Sequence, residues 1–123
     1  MPKKLLIVED DADIQNYYNF LFVDLDVTLL RAFSGEEALE VLDREKDVDL
    51  ILLDVVLPGI GGEEFYRLLR MERESDIPVI VCSVDERISH RVQEVAEVQG
   101  IYTKGTNGDD LKAIIKDVMA KSA

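Results

Sequence analysis

The chain has little positive charge and no long apolar run. Its 123 residues include 14 Lys and Arg against 26 Asp and Glu, which gives a formal net charge of -12 and a pI near 4.4. Because nucleic-acid binding needs a basic face that displaces counterions, this composition disfavours a nucleic-acid partner and favours basic partners or metal ions. No apolar segment reaches the length of a membrane span or resembles a signal peptide, so we expect a cytoplasmic protein without membrane contact.

The chain has one cysteine and contains no linker, internal repeat or low-complexity segment. Cys82 continues an apolar run that begins at Val79, which indicates a buried, reduced thiol with a packing role. With 47% hydrophobic and 33% charged residues, the composition is typical of a globular domain that folds without disulfides. We therefore expect a single domain over residues 1–123, with no output domain in this chain.

Five apolar runs alternate with segments of helical periodicity. The central run, residues 50–53, is apolar throughout, which is typical of a strand covered on both faces of a parallel sheet. Asp54 ends this strand, and Pro58 and Gly59 then break the chain into a loop. This alternation predicts an α/β fold with right-handed crossovers and helices on both faces of the sheet. Predicted strands cover residues 4–8, 27–33, 50–54, 78–83 and 101–103, and predicted helices lie within 14–25, 34–42, 65–69, 88–96 and 107–119.

Residues that favour helix ends flank several of the helical segments. Ser34 and Glu37 fit a capping box, in which each side chain accepts a hydrogen bond from the other residue's backbone N–H. Gly100 is the residue expected just past the end of the fourth helix. The remaining predicted caps are Asp11 or Asp13 for the first helix and Thr106 or Asn107 for the last.

Polar side chains follow four of the five predicted strands. Glu9 and Asp10 come after the first strand, Asp54 ends the third, Ser83 ends the fourth and Lys104 follows the fifth. If the strand order is 2-1-3-4-5, the first and third strands are neighbours and their ends form a crevice in which the three acids converge. Crowded carboxylates repel one another unless a cation lies among them, and all-oxygen ligands suit Mg²⁺ or Mn²⁺. The pattern therefore predicts a metal site.

This group of residues suits phosphoryl transfer. A carboxylate beside Mg²⁺ can act as a nucleophile toward phosphorus, while Ser83, Lys104 and the amides after Asp54 supply donors for phosphoryl oxygens. Each residue alone also has an ordinary interpretation, namely a turn residue for Asp54, a helix cap for Ser83 and a solvated charge for Lys104. Their coincidence on one edge of the sheet favours the functional interpretation.

With these residues in place, the chain resembles a response-regulator receiver domain of two-component signalling over essentially its whole length. The similarity is carried by ordered motifs at residues 4–11, 52–59, 78–83 and 103–104. It implies a flavodoxin-like, doubly wound, five-stranded parallel sheet in the order 2-1-3-4-5 with five flanking helices. It also implies a phosphoprotein that changes conformation and thereby alters its binding to a downstream protein.

The resemblance assigns a role to each residue of the site. Asp54 would accept a phosphoryl group from a sensor histidine kinase or a histidine phosphotransfer protein. The chain would not be an enzyme, but a phosphoacceptor that assists its own phosphorylation and dephosphorylation. The resemblance is also compatible with a homodimer. The implied Mg²⁺ ligands are Asp10, Asp54, the Val56 carbonyl and, through water, Glu9, with Mn²⁺ as an alternative ion; the implied phosphoryl contacts are Ser83 and Lys104.

The chain also departs from the family's pattern near the site. Gly105 stands where a proline usually follows the lysine, and Val84 stands where a small residue usually follows the hydroxyl. Ile101 occupies the place of the family's rotating aromatic residue, and Tyr102 is expected on the opposite face of the strand. A one-residue deletion near Gly100 would instead restore Tyr102 to that role. We expect complete phosphorylation chemistry with altered coupling to the fourth helix and fifth strand.

Two other functions compete with this interpretation. A degenerate receiver, favoured by Gly105 and Ile101, would bind a protein partner whether or not Asp54 is modified. A Mg²⁺-dependent phosphatase that works through an aspartyl phosphate would usually carry a second Asp two residues after the nucleophile, where this chain has Val56.

Overall fold

The computed structural model describes residues 2–55, 57, 59–83, 98–105 and 107–121. Five parallel strands form one sheet in the order β2-β1-β3-β4-β5, which confirms the predicted topology. The strands are β1 (Lys3–Val8), β2 (Val27–Ala32), β3 (Val48–Asp54), β4 (Val79–Ser83) and β5 (Gly100–Thr103).

Helices surround this sheet. They are α1 (Ala12–Leu21), α2 (Gly35–Arg44), α3 (Gly62–Arg67), which continues as a π-helical turn over Leu68–Glu72, and a C-terminal helix (Gly108–Lys121). Four of the five predicted helices are therefore confirmed, and the remaining one, the fourth in chain order over 88–96, lies outside the described residues. No helix within the described ranges has the length and apolar character needed to cross a lipid bilayer.

The apolar residues of the central strands alternate between two cores, one on each face of the sheet. Because successive side chains point to opposite faces, β3 contributes to both cores, which confirms that it is covered on both sides. One core includes Leu6, Val8, Ile51 and Leu53 with α2 and α3, and the other includes Leu5, Ile7, Leu50 and Leu52 with α1 and the C-terminal helix.

Cys82 lies in β4, and its side chain is packed in the core beside α1. It is a free thiol and is 1% exposed. Burial raises its pKa to about 12, so the group stays protonated and unreactive at neutral pH. The predicted packing role is confirmed.

Side-chain caps begin three of the helices. Asp11, rather than Asp13, caps α1, since its Oδ1 accepts hydrogen bonds from the amides two and three residues later at 2.8 and 3.2 Å. Ser34 caps α2 and accepts from the third amide along the chain at 3.1 Å. Asn107 precedes the C-terminal helix and accepts from the Asp109 amide at 2.9 Å. The alternative cap, Thr106, lies outside the described residues.

Gly100 has a different role from the one predicted. It is the first residue of β5, where it pairs with Ile80, so it does not end a helix. A Cβ atom at this position would lie 2.7 Å from Cγ2 of Ile114, so the absence of a side chain lets the C-terminal helix pack closely on the strand. The prediction of a helix end here was wrong.

A strained residue lies two positions after the π-helical turn. Glu74 has a φ of 51°, in the left-handed region that residues other than Gly, Asn and Asp rarely adopt. Hydrogen bonds from the amides of Arg73 to Leu68 O at 3.1 Å and of Ser75 to Leu69 O at 3.0 Å hold the backbone around it.

We predict that Glu74→Asn raises the free energy of unfolding by about 0.5 to 1 kcal/mol, because asparagine tolerates the left-handed conformation better than glutamate. Urea unfolding followed by circular dichroism measures the change. Glu74→Ala is the control, since it removes the same charge without relieving the backbone. Equal stabilities for the two variants would contradict the argument.

Candidate functional site

The acidic residues meet where β1 and β3 end side by side. Val8 pairs with Leu53 in the sheet, so Asp54 and the residues that follow β1 lie next to each other. Carboxylate oxygens of Glu9, Asp10 and Asp54 lie within 4.8 Å of one another, as the predicted strand order requires. Glu9 and Asp54 are 2% and 6% exposed, whereas Asp10 faces solvent.

Lys104 joins two of these acids. Its Nζ donates to Asp54 Oδ2 at 3.0 Å and also to Glu9 Oε1. The Lys104 amide donates to Ser83 O at 2.8 Å, which fixes the lysine at the end of β5. With its side chain only 13% exposed, Lys104 is not the solvated surface charge that its residue type alone would suggest.

Ser83 lies on the same edge of the sheet. It is the last residue of β4, one position beyond the Cys82 that pairs with Asp54, and it is 1% exposed. β4 lies between β3 and β5, so Ser83 stands between the strands that carry Asp54 and Lys104. The structure therefore brings together five of the six predicted site residues on one edge; the sixth, Val56, lies outside the described residues.

The charges of the site are unbalanced. Burial, followed by the charge of Asp54, raises the pKa of Glu9 to about 7, although hydrogen bonding to Lys104 opposes this shift. Partial burial disfavours the Lys104 ammonium, but its hydrogen bonds to Glu9 and Asp54 outweigh that effect and raise its pKa. The single Lys104 ammonium therefore cannot neutralise the three carboxylates of Glu9, Asp10 and Asp54 when all of them are ionised.

The donor set fits a hard divalent cation. Three carboxylates and one ammonium leave an excess of negative charge when every group is ionised, and all the available ligand atoms are oxygens. Such ligands are typical of Mg²⁺ and Mn²⁺ sites that retain water.

Close packing holds the backbone that follows Asp54. A Cβ atom on Gly62 would lie 2.7 Å from both Asp54 O and Val55 Cα, so only glycine allows α3 to begin this near the strand end. The Gly62 amide donates to Val55 O at 3.0 Å. From α2, Glu36 Oε1 accepts from the Ile60 amide at 3.2 Å and ties down the loop.

Three residues that shape this site, Gly62, Glu36 and Gln15, were not predicted from the sequence. The Gly61-Gly62 pair after Pro58-Gly59 was a visible signal of close backbone packing. Glu36 gave no signal, because its partner lies 24 residues away. Gln15, which is fully buried beneath Glu9, resembled an ordinary polar helix residue in sequence.

The departures from the family pattern have clear positions. Tyr102 is 4% exposed and packs in the core with Tyr18 of α1, whereas Ile101 is half-buried outside that core. This agrees with the expectation that the two side chains occupy opposite faces. Gly105 has a φ of 87°, a conformation closed to proline, and Val84 lies outside the described residues.

Comparison with known proteins gives consistent matches. A family model described as the response regulator receiver domain matches residues 5–116. The phosphate regulon transcriptional regulatory protein PhoB of Klebsiella pneumoniae is 33% identical over 123 residues, which cover 98% of this chain and 53% of that protein. The response regulator GacA of Pseudomonas aeruginosa is 32% identical over 121 residues, 95% of this chain and 55% of that protein. The chain spans about half the length of the curated relatives it matches.

Solved structures show the same fold. The receiver domain of the Francisella response regulator 1452 superposes with a TM-score of 0.85 at 23% identity, covering 98% of this chain and 99% of that one.

We predict that the free energy of unfolding of the metal-free protein falls as the pH rises from about 5 to about 8. The folded-state pKa of Glu9, about 7, lies above its ordinary 4.5, so the folded state keeps a proton that the unfolded chain has released. The resulting stability is fully present below pH 4.5 and is lost as the pH rises through the folded-state value.

Urea unfolding in EDTA across this pH range measures the effect. Glu9→Gln should flatten the dependence, whereas Glu40→Gln, which changes an exposed glutamate of α2, should leave it intact. The interpretation fails if wild type and Glu9→Gln show the same dependence.

Proposed function

This chain belongs to the response regulator receiver domain family, and from that premise we propose that it is a phosphorylation-dependent signalling module in which Asp54 accepts the phosphoryl group. The observation that carries the proposal is the placement of the Lys104 ammonium 3.0 Å from Asp54 Oδ2, beside two further carboxylates. If Asp54 served only as a turn residue, it would need neither the ion pair with Lys104 nor a buried side chain.

In the proposed reaction a carboxylate oxygen of Asp54 forms a bond to phosphorus. The phosphorus–nitrogen bond of a phosphohistidine on the kinase or phosphotransfer protein breaks, and its electron pair stays on the imidazole nitrogen. The Lys104 ammonium and the Ser83 hydroxyl offset the charge on the transferring oxygens, and neither is consumed. The chain assists this single transfer and the later hydrolysis of the aspartyl phosphate, in which water takes the phosphoryl group and inorganic phosphate leaves. We therefore propose a phosphoacceptor and not an enzyme that turns over a substrate.

The acidic cluster would hold Mg²⁺ during this step. Asp10 and Asp54 would be direct ligands, Glu9 would bind through water, and the family resemblance adds the Val56 carbonyl. When bound, Mg²⁺ supplies the positive charge that lets an anionic phosphoryl group approach three carboxylates. Mn²⁺ has the same ligand preference and should substitute.

Modification of Asp54 gives a physical basis for a switch. Phosphorylation places a bulky anion where Lys104 now pairs with Asp54, so the lysine and the end of β5 must take new contacts. We propose that a downstream protein distinguishes these two states. PhoB is described as a transcriptional regulatory protein, but we propose no nucleic-acid contact for this acidic domain itself. A cytoplasmic location and a single domain over residues 1–123 remain predictions.

A second candidate is a receiver that binds its partner regardless of phosphorylation. The burial of Tyr102 in the core on the α1 side of the sheet favours this candidate. Ile101 then occupies the position of the family's rotating aromatic residue, and isoleucine has no ring that could rotate.

We predict that the wild-type chain gains a single phosphoryl adduct when incubated with acetyl phosphate and Mg²⁺, and that Asp54→Asn gains none, because an amide oxygen is a poor nucleophile. Intact-mass spectrometry measures the adduct, with EDTA as the metal-free comparison. Asp47→Asn, an exposed aspartate before β3, is the matched control and should be labelled like wild type. Undiminished labelling of Asp54→Asn would contradict the assignment, and an unlabelled but folded wild type would favour the second candidate.

We predict that Lys104→Met changes Mg²⁺ affinity and the rate of phosphorylation in opposite directions. Removing the ammonium takes a competing cation out of the acidic cluster, so Mg²⁺ should bind more tightly. The rate of phosphorylation should nevertheless fall by about 100-fold, because the transferring oxygens lose a charged donor. Titration calorimetry and the time course of adduct formation test the two effects. Lys112→Met, which removes the 2.8 Å ion pair with Asp24 away from the acidic cluster, should change neither. An unchanged rate for Lys104→Met would contradict the role of the ammonium.

A further inference from the structure

A fully buried glutamine lies beneath the acidic site. The Nε2 atom of Gln15, on α1, donates to three backbone carbonyls: Ala32 O at 3.0 Å, Glu9 O at 3.1 Å and Ile7 O at 3.2 Å. The side chain is 0% exposed. One amide therefore connects α1, the end of β1 and the end of β2, and it does so at the backbone of Glu9, a member of the acidic cluster.

The orientation of this amide follows from its surroundings. Rotation by half a turn would bring Oε1 against three carbonyl oxygens, which cannot donate, so the nitrogen must face them. Oε1 has no hydrogen-bond partner among the residues the structure describes. An unpaired buried acceptor costs stability, and the hydrogen bonds that Nε2 donates must offset that cost, so the role of this glutamine lies in the carbonyls it holds.

Gln15 completes the restraint of Glu9. The Glu9 amide donates a hydrogen bond to Ala32 O at 3.0 Å. The Glu9 carboxylate accepts hydrogen bonds from Lys104 Nζ and, at 3.2 Å, from the Asp11 amide. The Glu9 carbonyl lies past the end of β1, and it accepts from Gln15 Nε2. This bond fixes the peptide that links Glu9 to Asp10, and with it the directions in which both carboxylates leave the backbone.

We infer that Gln15 is a positioning residue for the metal site, which holds the Glu9–Asp10 peptide so that both carboxylates converge on Asp54. The inference rests on the proposed function, because it assumes that this cluster binds Mg²⁺. Groups that orient metal ligands without touching the metal commonly change metal affinity by about 10- to 100-fold when removed.

The first test uses the wild-type protein and nuclear magnetic resonance. Titration with Mg²⁺ should shift the side-chain amide signals of Gln15 with the same midpoint as the backbone amides of Asp10 and Asp11. Gln99 is the internal control, because its Oε1 accepts from the Val79 amide at 2.8 Å, at the far end of β4 from the site, and its side-chain signals should stay constant. Shifts at Asp10 and Asp11 with none at Gln15 would overturn the inference.

The second test removes the donors. Gln15→Met keeps the length of the side chain but loses both N–H groups, and we expect Mg²⁺ binding, measured by titration calorimetry, to weaken by about tenfold or more. Val41→Ala, in the core on the other face of the sheet, is the control for general destabilisation and should change the affinity less than about twofold. Equal affinities for Gln15→Met and wild type would contradict the positioning role.

The two proposals fail in different ways. If wild type shows no Mg²⁺-dependent shifts anywhere, the metal site itself is wrong. If wild type binds Mg²⁺ and only the Gln15 observations fail, the proposed function stands and the positioning role does not.

Discussion

The constraint that governs this structure is the crowding of three carboxylates around a single ammonium. Glu9 and Asp54 are almost fully buried, and such charges are costly in a protein interior unless they are paired. Lys104 contacts both, yet Glu9 keeps a raised pKa, so the pairing is incomplete. The surrounding strands and helices hold the three carboxylates close together although their negative charges repel one another. Because Lys104 does not neutralise all of this charge, the site could accept a cation.

The fold keeps these groups together by using the ends of parallel strands. Four strands place their last or following residues on one edge, and the hydrogen bond from the Lys104 amide to Ser83 joins two of those ends. Gly62 and Gln15 then fix the backbone on either side of the crevice. The backbone that carries the acids is thus held by close packing and hydrogen bonds, while the Lys104 side chain holds the carboxylates of Glu9 and Asp54.

Much of this arrangement follows from the sequence, because apolar runs and strand ends are local features. The strand order, the capping role of Ser34 and the convergence of Asp54 with Lys104 depend on patterns within a few residues and on general rules of parallel sheets. Gly100 was misassigned because a glycine that ends a helix and a glycine that admits a neighbouring side chain look identical in sequence. Gln15 and Glu36 were missed because their partners include segments that are remote in the chain, and a polar helix residue is usually solvated.

The two-sided burial of β3 has a consequence for cooperativity. Residues such as Leu52 and Leu53 are neighbours in one strand but belong to opposite cores, so neither face of the sheet can lose its packing without exposing a strand that the other face requires. The two layers of helices are therefore thermodynamically linked through one seven-residue segment that ends at Asp54. A domain built in this way unfolds as a unit, and a partly melted form with an intact acidic crevice would not be populated.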